Sequence, residues 1–370
     1  MLTTISQFRR RAPWLFDNPR PGPLANLAAS AMRFIGRSSR GSRVPPSVKI
    51  DISPQCSLSC PACLHANPDG RGLELLDRQN FDKTHRMSVD QFARIIDQLR
   101  GKALSVSLYY YGDPLIHPQF AEMAKIAADA GLAVHASTHL SYNLSDRKIS
   151  DIVASGLTHL SIDVDGATQE TYGQTRVRGQ LHKVLANLER IAAERKRQGS
   201  QTPRIEVQHL SFDHHEFGEA ERVEDTVRQL GADDFTTFPG VYHNVRGELY
   251  NPVENDAIAA KEWPAKSASL VPDCHWPWSG TVIKFNGQVI PCCLWREGQQ
   301  YAENGEPRTL GNVFEESLET IWNNDAYRRV RKLVLNPSKE ARKPEQESSF
   351  CQGCPKIFDS ENLLGEWERG

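Results

Sequence analysis

The stretch VKIDISPQCSLSCPACLH, Val48 to His65, decides how the rest of the chain is read. Val48, Ile50 and Ile52 alternate with Lys49 and Asp51, the two-residue period of a half-buried strand. Ser53-Pro54 ends the ladder, because proline has no amide to donate. The strand then runs straight into Cys56, Cys60 and Cys63. Three thiols spaced C-x3-C-x2-C can converge on one small inorganic centre. A cube of four irons ordinarily takes four cysteines, so three leave one iron open to a small chelating ligand. Structural zinc is the other reading, with His65 as a fourth ligand, but zinc knuckles rarely carry the x3 spacing.

The chain has 370 residues, room for two domains with separate cores. Its net charge of -2 offers nothing to a polyanion, so nucleic acid is not an expected partner. The eight cysteines fall in tight groups rather than as a disulfide framework, which points to metal and to a cytoplasmic protein. No run reaches the ~18 apolar residues of a membrane span.

Downstream of the cysteine loop, Ser88-Val89-Asp90-Gln91 forms a capping box, and Phe92, Ile95, Ile96 and Leu99 carry the apolar face of the helix it opens. Strands are expected over 106–110, 132–136, 159–164, 204–210 and 234–238, with helices over 145–154, 181–195 and 219–230 between them. Alternation of this kind argues for an α/β fold with a parallel sheet and helices outside. Counting the first strand there are six, too few for an eightfold barrel.

The cysteine spacing together with six strand-helix units resembles the radical S-adenosylmethionine (radical SAM) superfamily. The resemblance implies a partial (β/α)6 TIM-like barrel, a SAM-binding 4Fe-4S cluster on Cys56, Cys60 and Cys63, and a 5'-deoxyadenosyl radical that abstracts hydrogen from substrate. It also implies an external one-electron reductant such as flavodoxin or ferredoxin. Residues 48–245 are read as this core, and residues 1–47 as an extension. Leu24, Leu27, Ala28, Ala31 and Ile35 fall at helical spacing, so the extension is expected to cover the barrel with an amphipathic helix or to be mobile. A cleaved leader after Arg9-Arg10-Arg11, or a lipid-surface helix, is the weaker reading.

In such a barrel, chemistry sits at the C-terminal ends of the strands. The second strand ends in Gly112-Asp113-Pro114, which looks like a shortened form of the family's Gly-Glu, and the resemblance turns Gly112 and Asp113 toward the SAM ammonium. The third ends in Ser137-Thr138-His139, where His139 is a candidate acid or base, or else a structural histidine. Leu160-Ser161-Ile162-Asp163-Val164-Asp165-Gly166 with Arg176 downstream is similar to the family's Ser-Ile-Asp-Gly strand. By that likeness Ser161 and Arg176 are candidates for the SAM ribose and carboxylate. Ser161, Asp163 and Asp165 share one face by the period of two, as do Glu206, Gln208 and Leu210 on the next strand. Gln208 is a candidate contact to the adenosyl group or substrate, and Asp213-His214-His215-Glu216 reads as a polar helix start rather than a metal site.

Beyond Trp263 lie Cys274, Cys292, Cys293, Cys351 and Cys354. Asn286-Gly287 between two β-rich runs signals a hairpin that returns Cys292 to Cys274. Gly287-x4-Cys292, Leu310-Gly311-Asn312-Val313 and the closing Cys351-x2-Cys354 resemble the SPASM and twitch auxiliary-cluster domains, which places residues 246–370 in such a domain. The resemblance makes Cys274, Cys292, Cys351 and Cys354 ligands of one auxiliary 4Fe-4S cluster. Cys293 is left as a spare apolar residue or a hydrogen donor, since neighbours on a strand face opposite ways.

The spacing looks most like that of 2-deoxy-scyllo-inosamine dehydrogenase, a radical SAM alcohol oxidase. That likeness suggests oxidation of a small polyol, sugar or aminocyclitol, with the electron leaving through the auxiliary cluster. Alternatives within the same chemistry are a maturase forming thioether or carbon-carbon crosslinks in a ribosomally made peptide, and an epimerase using Cys293. A different class is a zinc-stabilised, non-catalytic binding protein. Residues 1–47 are short for an added peptide-recognition domain, which typically starts near ~50 residues.

Overall fold

The structure, a computed structural model, describes residues 20–61, 63, 85–240, 271–292, 309–343, 349, 351, 354 and 357–358. Arg9 to Arg11, most of the polar insertion before His85, the expected boundary at 245 and Cys293 lie outside the described residues.

Strands β1 (Ser47–Ile50), β2 (Ser105–Ser107), β3 (Ala133–Thr138), β4 (His159–Asp163), β5 (Arg204–Ser211) and β6 (Asp234–Pro239) pair in parallel in chain order. They are joined through helices α2 (Val89–Leu99), α3 (Phe120–Asp129), α4 (Asp146–Ala154), α5 (Gln169–Thr175), α6 (Leu181–Arg197) and α7 (Glu219–Gln229). The period of two sorts each strand. Val48, Ile50, Val106, Val134, Ala136, Leu160, Ile162, Ile205 and Val207 are buried in the core that the outer helices complete. The capping box at Ser88 and Gln91 is formed as expected, and Phe92, Ile95, Ile96 and Leu99 of α2 are all buried.

The auxiliary hairpin does not make a sheet of its own. Helix α8 (Trp276–Ser279) leads into β7 (Gly280–Ile283), which pairs in parallel with β1, and β8 (Val289–Ile290) returns antiparallel as the edge. The sheet is therefore one open run of eight strands, β6-β5-β4-β3-β2-β1-β7-β8. Helices α9 (Leu318–Asn323), α10 (Asp325–Leu335) and α11 (Pro337–Glu340) follow.

Helix α1 (Pro21–Ile35) lies at the end of the sheet opposite the cysteine loop. Its start meets the turns before β2 and β3, where Arg20 bonds Ala130 O, and Ser30 Oγ donates to Trp278 O just before β7. The following segment reaches α9, with Asn323 bonded to both Gly41 and Ser42. Among the described residues no helix is long and apolar enough to cross a membrane.

Two readings shift in detail. Strand β2 stops at Ser107 rather than 110, because the chain from Tyr109 to Asp113 leaves the ladder to meet the cysteine loop. Residues 213–216 form a turn ahead of α7 rather than its first turn, and the cap is Gly218 in the left-handed region at φ 78°, which glycine adopts without cost.

Candidate functional site

The cysteine loop leaves β1 at Asp51, whose amide still donates to Ile283 O, and is braced from two sides. Ser59 N donates to Val177 O beyond α5, and Cys63 N to Cys60 O at 2.9 Å closes a turn between two of the thiols. On the other side Gly112 lies flat under the loop: a methyl group there would stand 2.2 Å from Ser53 O and 2.3 Å from Gln55 O. Asp113 N donates to Gln55 O at 2.8 Å. Only a residue without a Cβ permits this approach.

All three thiols are half-buried and electrostatically coupled. Burial pushes Cys56 far above the usual thiol range, with Asp113, Cys63 and Cys60 adding to the rise. Burial raises Cys60 to about 11 while Arg176 pulls it down. Three cysteines on one loop are a soft donor set that binds metal as thiolates, releasing protons as it does so.

Asp113 is nearly saturated inside the protein. Its Oδ1 accepts from Leu115 N at 3.0 Å, and its Oδ2 from Thr138 Oγ1 at 2.8 Å and from His139 N at 2.8 Å. The carboxylate is 4% exposed and ties the ends of β2 and β3 beneath the loop. His139 belongs to the same brace. Its Nδ1 accepts from Ser141 N, so the ring proton is on Nε2, which lies 3.3 Å from Ser57 Oγ and 3.4 Å from Asp113 Oδ2. Burial lowers its pKa, and the ring stays a neutral donor at physiological pH.

Arg176 closes the opposite side. Its Nε donates to Asp165 Oδ2 at 2.6 Å, and its Nη1 lies 3.5 Å from Asp163 Oδ2. Burial would lower its pKa, but Asp165 and Asp163 overcome that and raise it. Burial raises Asp163 to about 6 against the pull of Arg176, with Asp165, Asp113 and Glu206 adding to the rise. The two acids read on one face of the fourth strand thus meet on a single guanidinium.

Ser161 sits deeper, fully buried, and belongs to a network across the sheet. Glu206 Oε2 accepts from His159 Nε2 at 2.9 Å and Ser161 Oγ at 3.1 Å, and its Oε1 from Thr236 Oγ1 at 3.0 Å. Ser161 has then spent its hydrogen, so it accepts from His135 Nε2, and His135 Nδ1 accepts from Ser107 Oγ. Gln208 Nε2 is 3.5 Å from both Ser161 Oγ and Glu206 Oε2. Glu206 was legible as sharing a face with Gln208, but His135, His159 and Thr236 were not. Their one signal is the same period of two on three strands, and its meaning depends on which strands are neighbours.

The downstream cysteines also come together. Burial raises Cys351 well above the thiol range, and the charges of Cys354, Cys292 and Cys274 add to the rise. Among the described residues no three such side chains are drawn to a single point as one ion would hold them. A four-iron cube instead spreads its thiolates over separate corners.

Residues 50–201 match the Radical SAM superfamily, and residues 274–355 match SPASM, the iron-sulfur cluster-binding domain. The chain is a radical SAM enzyme with a SPASM domain. Membership implies a 4Fe-4S cluster, an auxiliary cluster and SAM, and the half-buried thiols around the Gly112 cradle suit the first of these. Among curated proteins this radical SAM chain is 26% identical over 339 residues to the PqqA peptide cyclase of Xanthomonas euvesicatoria, covering 84% of the chain and 80% of that relative. It is 25% identical over 146 residues to the AdoMet-dependent heme synthase of Methanosarcina barkeri, but that match spans only 38% of the relative and 39% of the chain. Among solved structures it matches Streptococcus suis SuiB bound to the precursor peptide SuiA, with a TM-score of 0.57 at 14% identity over 82% of the chain and 69% of SuiB. That likeness is one of fold.

Proposed function

We propose that this radical SAM enzyme modifies a peptide, forming a thioether or carbon-carbon crosslink at a carbon from which hydrogen has been abstracted. The observation that supports the reading is the extent of the likeness to the PqqA peptide cyclase, which covers 84% of the chain. In this reading Cys56, Cys60 and Cys63 hold the SAM-binding cluster, and Cys274, Cys292, Cys351 and Cys354 hold the auxiliary one. When bound, these groups supply the 5'-deoxyadenosyl radical and an electron acceptor.

The protein's own side chains set the stage. Gly112 and Asp113 fix the loop, His139 donates to it from below, and Arg176 offers a cation beside Cys60 at the C-terminal end of β4. Asp163 and Gln208 are paired in register on β4 and β5, and both are half-buried. The test is 5'-deoxyadenosine release by anaerobically reconstituted enzyme with SAM and reductant. A panel of synthetic peptides is compared with a panel of polyols and aminocyclitols. Release stimulated by a peptide that loses two hydrogens by mass supports crosslinking. Release stimulated only by polyols removes the reading.

Oxidation of a small hydroxyl-bearing molecule is the second reading, resting on the spacing of the downstream cysteines. The epimerase alternative turns on Cys293, outside the described residues. Cys293→Ala leaves an oxidase active and stops an epimerase after hydrogen abstraction.

A further inference from the structure

We propose that helix α1 seats the enzyme on an anionic phospholipid surface, its outward apolar face in the lipid and the arginines at its end on the headgroups. The inference does not depend on which substrate the enzyme takes. Helix α1 is built inside out. Pro23, Asn26 and Ser30 are buried along one side, and Phe34 continues that side against Trp278, with ring centroids 5.5 Å apart. The polar groups there are satisfied: Asn26 Nδ2 donates to Val44 O at 2.9 Å, its Oδ1 accepts from Arg43 N at 3.1 Å, and Ser30 Oγ donates to Trp278 O. The opposite side, at the helical period, consists of Pro21, Ala25, Ala28, Met32 and Ile35, and all five are exposed. Met32 is 67% exposed and Ile35 64%. The apolar spacing that predicts a cover for the barrel is thus only partly used: Leu24 and Leu27 are half-buried, whereas Ala28, Ala31 and Ile35 stay outside.

A contiguous apolar face left in water marks a partner or a membrane, and the charge around it selects which. From Arg20 to Arg43 the chain has five arginines and no acid, although its net charge is -2. Arg33 and Arg37 flank Ile35, and all three are exposed. Arg37 Nη2 donates to Leu335 O, and Arg331 Nη1 to Ser39 O at 3.4 Å, which ties this end of α1 to α10. There Arg40, Arg329 and Lys332 line a cleft of about 550 Å³, whose acids, Asp325 and Glu340, are already paired with Arg328 and Lys343.

A second copy of this chain is a poor occupant. It would meet the helix across a twofold axis and set these cations against one another. Anionic headgroups reverse the sign of that interaction: each cation held near them adds to binding, and the apolar side chains between enter the acyl boundary. Because α1 lies at the end of the sheet opposite the cysteine loop, a chain docked through it keeps that loop turned toward solution.

The test is flotation of the full-length enzyme with vesicles of phosphatidylglycerol and phosphatidylcholine, against vesicles of phosphatidylcholine alone. The expected result is binding to the anionic vesicles only, weakened by added salt. Met32→Gln with Ile35→Gln should lower the partition about tenfold by removing apolar contact. Arg33→Gln with Arg40→Gln should lower it about fivefold for each charge removed. All four side chains are exposed and far from the cysteine loop, so 5'-deoxyadenosine release without vesicles should not change in either variant. Absence of binding, or equal binding to both kinds of vesicle, overturns the proposal. So does binding that the Met32 and Ile35 pair leaves unchanged, which would put the contact elsewhere in the chain. A dimer seen by sedimentation, lost in that pair and unaccompanied by vesicle binding, would overturn it in favour of a second copy.

Discussion

Cys56, Cys60 and Cys63 come from one loop of a single strand end, whereas Cys274, Cys292, Cys351 and Cys354 are gathered from residues 274 to 354 by a hairpin, three helices and a closing turn. The first set is positioned locally: Gly112 and Asp113 press on the loop backbone, and the thiols stay half-buried at the sheet's C-terminal edge. The second depends on distant contacts, and its Cys351 is buried. The difference teaches that an open centre needs a rigid, accessible loop, while a closed one can be part of the core. It also implies that the two sites fail differently.

The largest effect is expected from replacing Cys56, Cys60 and Cys63 together with Ala. SAM cleavage should fall to background and iron from about eight to about four per chain, by iron analysis and 5'-deoxyadenosine release. Retained cleavage would break the comparison at its first term. Next is Cys351→Ala, which should remove about four irons yet leave SAM cleavage without substrate in place. Because that residue is in the core, the variant should also lower the melting temperature of the apoprotein, and equal stability would show that the second site is not part of it.

Gly112→Ala sharpens the local side. Its methyl would meet Ser53 O at 2.2 Å, so the loop must shift at a cost of about 1–3 kcal/mol. The expected result is poorer uptake of the SAM-binding cluster with the auxiliary EPR signal unchanged.

The last effect is one of pH, read on stability rather than on cluster uptake. Asp51, fully buried where β1 meets β7, is raised by burial to about 7 against the attraction of Lys284 and of the backbone amides of Gly112 and Tyr111. The folded state keeps this proton where the unfolded chain has lost it, so stability falls as pH rises from about 4 through about 7 and is level above. Asp51→Asn should flatten that slope and raise stability at pH 8 by up to roughly 4 kcal/mol. An unchanged slope in denaturant titrations would remove Asp51 as its source.

The six parallel strands, the capped helix α2 and both cysteine groups were legible because each is written in a local pattern: a period of two, a capping box, a fixed thiol spacing. The hairpin was legible as a hairpin through Asn286-Gly287, but not as a continuation of the sheet, because nothing in β7 names β1 as its neighbour. Asp113 and His139 were legible as candidates at strand ends. That they bond to each other, and brace the loop, needed the packing of β2 against β3.

By itself the sequence determined the class of chemistry, because ligand type and spacing within one loop are properties of adjacent residues. The tertiary structure alone decided which charges meet: Arg176 with Asp163 and Asp165, Glu206 with His159 across neighbouring strands, and Arg331 with no acid beside it among the described residues. Coulomb energy depends on distance and burial rather than on separation along the chain, and those quantities exist only once the chain has folded.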